Sequence, residues 1–214
     1  MQGKFFNDFK NSYLPEILNE IYRDKIYVPY LENKKDLTIL DVGANIGLTS
    51  YYFSSFAKTV FAIEPSQQHF DVLQQLISFN KLNNVLPVKM AIANNDGEAT
   101  FYHNQNTTMY SLKAEVATPK LDTETVQTVT LETLFKNLDI AHVDFMKLDV
   151  EGSEMEIICG VPFKKVCDKI DSLVVEYHQW STINPMQLVN ALRDLGYKVD
   201  KIPNAAMLFG AKRI

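Results

Sequence analysis

From residue 37 onward, short apolar runs alternate with helix-length amphipathic segments, and that alternation leaves few architectures open. The runs are Leu37–Val42, Thr59–Ile63, Val85–Ala93, Val143–Leu148 and Ser172–Tyr177. Periodic segments near 48–57, 66–80, from about 153, and 185–195 separate or follow them. Short, almost wholly apolar strands joined through helices form a mainly parallel sheet covered on both faces. Tyr197–Ile202 and Met207–Lys212 read as a hairpin through Pro203-Asn204, which places one antiparallel strand in that sheet. The fold class is therefore α/β, and ligands of such sheets bind beyond the C-terminal ends of the strands.

Two stretches depart from the alternation. Residues 1–36 carry Phe5, Phe6, Phe9, Tyr13, Ile17, Leu18 and Ile21 at mostly helical spacing, an N-terminal helical cap on the domain at 37–214. Asn94-Asn95-Asp96-Gly97 is a strong turn signal, and a polar insertion follows over about 98–130. Within it, Glu98–His103 and Val126–Thr130 alternate like strands. Thr130 is placed to cap a short helix bearing Leu131, Leu134 and Phe135.

Charge and cysteine usage remove several classes of function. The net charge is −5, and no basic run exceeds two residues. A nucleic-acid partner, which is held by neutralising phosphates, is not expected. No stretch reaches the roughly 18 apolar residues of a membrane span. The first residues lack a signal-peptide pattern, so the expected location is cytoplasmic. Cys159 and Cys167 lack a CxxC spacing and read as ordinary thiols of a reducing compartment, neither a zinc site nor a disulfide framework.

Four polar clusters end the apolar runs. The first, Asp41-Val-Gly-Ala-Asn-Ile-Gly47, joins a strand to a helix. Gly43 and Gly47 permit a sharp turn and a close backbone approach to a ligand. The G-x-G-x-x-G dinucleotide fingerprint is not met, and Asp41 suits an ammonium group better than a pyrophosphate. The second, Ile63-Glu64-Pro65-Ser66, sets a carboxylate 21 residues beyond Gly43, where it can accept both ribose hydroxyls of a nucleoside. A nucleoside with an amino-acid tail fits both clusters, and S-adenosylmethionine is the common metabolite of that form. The third is Lys147-Leu-Asp-Val-Glu-Gly-Ser-Glu154 and the fourth Glu176-Tyr-His-Gln-Trp180. If their strands are neighbours, Asp149 and the Glu176/His178 pair face one cleft. A hydroxyl acceptor needs a base or a metal to help remove its proton. His178 is the first choice of base. Glu176 and Asp149 are candidates to orient it, or to hold a divalent cation with oxygen ligands.

The strings DVGANIG, AIEPS, NNDGEATFY, FMKLDVEGSEMEII and VVEYH, in that order, resemble the FkbM-type S-adenosylmethionine-dependent methyltransferases over about 37–178. The resemblance implies a Rossmann-like class I methyltransferase fold with a seven-stranded sheet in the order 3-2-1-4-5-7-6. It implies cofactor contacts at Asp41, Gly43, Ala44, Asn45, Gly47, Glu64, Pro65 and Asp149. The adenine is expected near Ala91, Ile92 and the Asn95-Asp96 turn. The implied activity is O-methylation of a sugar or small secondary metabolite, so the expected partner is a small-molecule or glycan hydroxyl acceptor.

Other readings of the same residues stay open. Asp149 and Glu151 can cap the helix near Ser153, and Glu154 reads as a first-turn acid. Lys147, inside an apolar strand, can pair with a carboxylate or take part in catalysis. Trp180 can stack on a substrate or cover the core, and the stretch from His103 to Thr125 can be a substrate lid or a loop. His69 and His142 read as surface or packing residues. At the level of function, a metal-assisted O-methyltransferase and a non-catalytic S-adenosylmethionine-binding protein remain, with a nucleotide-dependent oxidoreductase disfavoured. The aromatic N-terminal segment can pack on its own domain or in a homodimer.

Overall fold

A computed structural model describes residues 14–103, 110–112, 122–178, 184–203 and 207–214. Among the described residues, eleven strands form two sheets. The larger contains β1 (Leu37–Val42), β2 (Ala57–Ile63), β3 (Val85–Val88), β8 (Phe145–Leu148), β9 (Ser172–Glu176), β10 (Tyr197–Lys201) and β11 (Leu208–Arg213). Their order is β3-β2-β1-β8-β9-β11-β10. Counting only this sheet's strands, the order reads 3-2-1-4-5-7-6. β11 runs antiparallel to both neighbours, and the other pairings are parallel.

The chain alternates the faces it covers. Leu40, Val42, Met146, Leu148 and Val175 point to one core, closed by helices α5 (Leu131–Asn137), α6 (Glu154–Cys159), α7 (Val161–Lys164) and α8 (Pro185–Asp194). Leu37, Ile39, Val60, Phe145 and Val174 point to the other, closed by α3 (Leu48–Ser54) and α4 (Gln67–Asn80). Side chains alternate across a strand, so sheets buried on both sides have nearly continuous apolar strands. Ile21, Ile26, Tyr27, Tyr30 and Leu31 of the N-terminal segment complete the second core. Tyr30 crosses β11 at Gly210, where any Cβ would overlap its hydroxyl, and Lys212 donates to the Pro29 carbonyl at 2.9 Å.

Several elements are shorter or more divided than their sequence patterns. The run Val85–Ala93 is two strands. After the Val88 carbonyl accepts the Glu64 N–H, the chain leaves the large sheet and resumes as β4 (Ala91–Ile92) in the small one. The helix expected from Ser153 breaks at Gly160, which is extended (φ −66°, ψ 151°), and restarts with Pro162 in its first turn, where a missing N–H is harmless. The N-terminal pattern yields α1 (Leu14–Leu18), a π-helical turn (Asn19–Arg23) and α2 (Val28–Leu31). Cys159 is exposed and Cys167 buried, and both are free.

The insertion builds the second sheet, ordered β4-β7-β5-β6, from β4, β5 (Gly97–His103), β6 (Tyr110–Ser111) and β7 (Thr123–Val129). Ala91, Phe101 and Val126, with Leu112, form its small core. Phe5, Phe6, Phe9, Tyr13, Asn104, Asn106, Trp180 and Asn204 lie outside the described residues. Among the described residues no helix is long and apolar enough to cross a membrane.

Candidate active site

The C-terminal ends of β1, β2 and β8 meet at a cavity whose outer wall is the small sheet. The cavity touches Gly43, Asn45, Glu64, Pro65, Asp149 and Glu151. An apolar slot of Ile63, Ala91, Ile92, Phe101 and Leu112 adjoins these groups.

The glycine loop is shaped by contacts beneath it. Both the Gly43 and Ala44 N–H groups donate to the Ile63 carbonyl, at 3.0 and 2.9 Å. Gly43 has φ +81°, and a Cβ there would overlap the Asp149 carbonyl oxygen. Glycine alone lets β1 and the chain after β8 approach so closely. Gly47, also left-handed, packs against Leu73 and begins α3. Asn45 is left-handed as well (φ +51°), and its N–H donates to Glu64 Oε2 at 2.8 Å. Glu64 Oε1 accepts from the Ser66 N–H at 2.9 Å. Each carboxylate oxygen has two acceptor positions, so both keep one for a ligand. Glu64 is nearly buried and lines the cavity, a placement that fits paired ribose hydroxyls, while the adjoining slot fits a flat base.

Asp41 does not form part of the cavity wall as expected. It is wholly buried; its Oδ2 accepts from Thr49 Oγ1 at 2.8 Å and Ser50 Oγ at 2.6 Å. Burial raises its pKa, against the pull of Lys147 and the two hydroxyls. Asp41 therefore anchors α3 beneath the loop. The Asn95-Asp96 turn also lies outside the wall. Asp96 accepts from the Thr130 N–H and Thr133 Oγ1, both at 2.7 Å, and so braces α5, which Thr130 caps as expected by accepting from the Thr133 N–H, while the Asn95 carbonyl accepts from Thr128. Those hydrogen bonds lower the Asp96 pKa. His69, read as surface or packing, is buried, lines the cavity and sets Nδ1 3.8 Å from Glu64.

On the other side, β8 and β9 are hydrogen-bonded neighbours, so the third and fourth clusters meet. Lys147 Nζ donates to the Gly43 carbonyl and to Asp149 Oδ2, each at 2.9 Å, and lies 3.8 Å from Asp41 Oδ1. Burial works against its charge, but Asp149 and Asp41 hold its pKa above the ordinary range. A permanently charged, fully engaged ammonium is no proton acceptor. Lys147 ties the glycine loop to the chain after β8, the pairing with a carboxylate that its place in an apolar strand allowed. Burial would raise the Asp149 pKa, yet Lys147 and His178 keep it lowered.

His178 stands among four carboxylates. Its Nδ1 is 2.9 Å from Glu154, and its Nε2 lies 3.3 Å from Glu151 and 3.8 Å from both Asp149 and Glu176. Burial disfavours the imidazolium, but the Glu154 hydrogen bond and the surrounding charges outweigh it and lift the pKa to about 10. The surrounding carboxylates favour the protonated ring, which counts against His178 as the base. Burial and Asp149 push Glu151 up to about 8; Asp149 and then burial do the same to Glu176. Glu151 Oε2 is buried without a hydrogen-bond partner. Its backbone is left-handed (φ +56°), and its carbonyl accepts from Ser111 Oγ at 2.6 Å. Neither Asp149 nor Glu151 caps α6, whose Ser153 cap position makes no side-chain bond.

The sequence reading passed over Glu154 as an anchor, Ser111 as a latch, and Phe101 and Leu112 as cavity wall. Only Glu154 carried a signal, an acid two residues past a glycine that needs a bonded N–H.

The chain matches the methyltransferase FkbM domain over residues 41–199, which spans every element of this site. It belongs to that family. It is an S-adenosylmethionine-dependent methyltransferase. A hexuronic acid methyltransferase, AglP, of Haloferax volcanii is 27% identical over 175 residues, covering 80% of this chain and 68% of that protein. Methyltransferase 1 of Beauveria bassiana is 29% identical over 183 residues, covering 75% and 72%. Among solved folds, methyltransferase FkbM from Methylobacillus flagellatus superposes with a TM-score of 0.59 at 14% identity, over 86% of this chain and 45% of that one. A methyltransferase from Aquifex aeolicus superposes at 0.51 and 15% identity, over 95% and 97%.

Proposed function

We propose that this FkbM-family methyltransferase acts on a hydroxyl of a sugar or small secondary metabolite, with S-adenosylmethionine at the Glu64 side of the cavity and the acceptor at the Glu151 side. The observation that carries this reading is the cluster in which Asp149, Glu151 and Glu176 lie 3.3–3.8 Å from His178 Nε2, with Asp149 and Glu151 in the cavity wall and Glu151 and Glu176 pushed up to about 8. An alcohol must lose its proton as its oxygen attacks. A carboxylate poised near neutrality is matched to that task, where an ordinary one is too weak. Glu151 is placed to serve because its unpartnered Oε2 belongs to a residue of the cavity wall.

When bound, the cofactor would supply a methyl group on a sulfonium, leaving as the thioether when the acceptor oxygen takes the methyl in line. The chain supplies the alignment. Glu64, with Asn45 and Pro65 beside it, would hold the nucleoside end, Ile92 and Phe101 the base, and Gly43 and Asp149 would border the reacting centre. The hydroxyl proton would pass to the ionised fraction of Glu151, which grows as pH rises toward 8, with His178 Nε2 3.3 Å from that carboxylate. The name of the Haloferax relative agrees with a sugar acceptor.

The test begins with calorimetric titration of S-adenosylhomocysteine, with NADH as control, then methyl transfer to methyl glucoside, glucuronic acid and glucosamine. Micromolar binding of the first compound alone, with methyl ethers formed, supports the reading. Binding without turnover on any hydroxylated acceptor favours a non-catalytic binding protein.

A second reading rests on Asp149, Glu151 and His178, each of which places one ligand atom within 4.8 Å of the others. Such a donor set suits a divalent cation that assists deprotonation. The ion needs a neutral imidazole, so it competes with the proton on His178. Activity that survives EDTA and complete metal removal excludes it.

A further inference from the structure

We infer that Glu154 is a positioning residue for the acceptor site: it grips His178 by Nδ1 and so directs Nε2 toward Asp149, Glu151 and Glu176. The inference rests on the proposed acceptor side of the cavity, but its geometry stands apart. Glu154 is 2% exposed, although it opens a helix on the chain that leaves β8. A first-turn acid ordinarily lies at the surface and faces the N–H groups of its own helix. Glu154 turns back instead. Its Oε1 accepts from the Val150 N–H at 3.1 Å and the Gly152 N–H at 3.0 Å, and Oε2 from the Gly152 N–H at 3.1 Å.

Those bonds close the Asp149–Gly152 loop from within, and loop closure alone requires nothing more. The further contact, from His178 Nδ1 at 2.9 Å, reaches a ring 24 residues away in sequence and at the exit of another strand. A carboxylate offers no hydrogen, so Nδ1 must carry it, which fixes the hydrogen-bonding role of each ring nitrogen. The ring then cannot turn without breaking a buried charge-assisted hydrogen bond. One carboxylate thereby sets both the loop that carries Glu151 and the imidazole opposite it. The same grip orients the ring whether Nε2 meets carboxylates or a cation.

The test compares Glu154→Gln with Glu154→Ala. Glutamine keeps an oxygen for the ring and the loop N–H groups, and alanine keeps none. Proton NMR of ¹⁵N-histidine-labelled protein reads the Nδ1–H resonance of His178, identified by its loss in His178→Asn. The expected result is a protected Nδ1–H in the parent and in Glu154→Gln, and its loss in Glu154→Ala. On an acceptor that the parent turns over, kcat falls on the order of 100-fold in Glu154→Ala with KM within about threefold, and Glu154→Gln recovers most of it. A purely structural role moves the melting temperature but not this split between the two variants. Persistence of the resonance in Glu154→Ala overturns the inference. So does its absence from the parent, which decides the matter if the alanine variant fails to fold. Loss of S-adenosylhomocysteine binding in the parent would instead sink the methyltransferase site reading and leave the ring signature to be judged separately.

Discussion

Glu64 and Glu176 stand at the same place in two strands of one sheet, at the C-terminal tip, yet they live under different electrostatics. Glu64 faces backbone: the Asn45 and Ser66 N–H groups fill one acceptor position on each oxygen. Glu176 faces charge: Asp149 and burial push its pKa up to about 8, and His178 Nε2 lies 3.8 Å away. The half of the site around β1 and β2 thus uses fixed dipoles to shape a receptacle. The half around β8 and β9 holds titratable groups in mutual tension. A ligand common to a whole family can be met by fixed backbone shape, whereas moving a proton needs groups whose charge can change.

The largest effect that would break this contrast belongs to the place where the halves touch. Gly43→Ala adds a Cβ against the Asp149 carbonyl at a left-handed position. Strain and overpacking of this kind cost ~2–5 kcal/mol together. A melting temperature about 5–15 °C lower is expected for a chain of this size, with S-adenosylhomocysteine binding abolished. Thermal melts and calorimetry check it. An alanine variant that binds normally would show that the close approach is unnecessary.

Next comes a pair of substitutions, one in each half. Glu64→Ala is expected to weaken S-adenosylhomocysteine at least about tenfold, ~1.4 kcal/mol, in a protein that still folds. Glu176→Gln is expected to leave that affinity within about twofold while turnover falls about 100-fold or more. Equal losses of affinity in both variants would erase the division between the halves.

How far each half was legible in the sequence follows from the same physics. Gly43, Gly47 and Glu64 could be read because sharp turns and strand-end acids are local requirements stamped on neighbouring residues. The apolar alternation implied a mainly parallel sheet with one antiparallel strand, and the order of its strands came from the family that the motifs resemble. Asp41 and Asp96 stand off the cavity wall because a carboxylate's partners are decided in space: Thr49 and Ser50 claim the first, Thr130 and Thr133 the second. His178 was found as a residue but not as a cation, since its charge depends on Glu154, Glu151 and Asp149 converging from a different strand exit. Leu112 and Ser111 carried no signal at all. Their role exists only because the insertion folds into a sheet against the cavity.

The tension in the acceptor half has a smaller, pH-dependent signature. With pKa values raised to about 8, folded Glu151 and Glu176 keep protons that the unfolded chain releases near 4.5, so stability falls as pH climbs between those values. His178 acts in the same direction. Its contribution is full below about 6.5 and is lost as pH rises through about 10. Melting temperature is therefore expected to drop steadily from pH 6 to 9, and Glu176→Gln to flatten part of that drop, by about 3 °C. Asp149, whose pKa is lowered, gives the opposite slope only in acid, below its unfolded value. A flat profile in the parent would mean that these charges are relaxed by solvent.

The smallest effect concerns the link between the small sheet and the acceptor half. Ser111 is buried, and its hydroxyl donates to the Glu151 carbonyl at 2.6 Å, where the backbone is left-handed. That bond joins a two-residue strand, held to β5 at Tyr102 and His103, to the loop that carries the proposed base. Ser111→Ala removes this neutral hydrogen bond and leaves a part-buried carbonyl short of a partner, ~1–2 kcal/mol. The expected readout is a melting temperature about 2–6 °C lower. Because Leu112, the next residue, lines the cavity, S-adenosylhomocysteine should also dissociate a few-fold faster in stopped-flow displacement, with little change in its association rate. Faster dissociation would make the small sheet a working wall of the cofactor half, coupled through Glu151 to the acceptor half. An unchanged rate with lowered stability would confine Ser111 to holding the sheet in place, and the two halves would then be coupled through the β1–β8 pairing, Lys147 and Gly43 rather than through the small sheet.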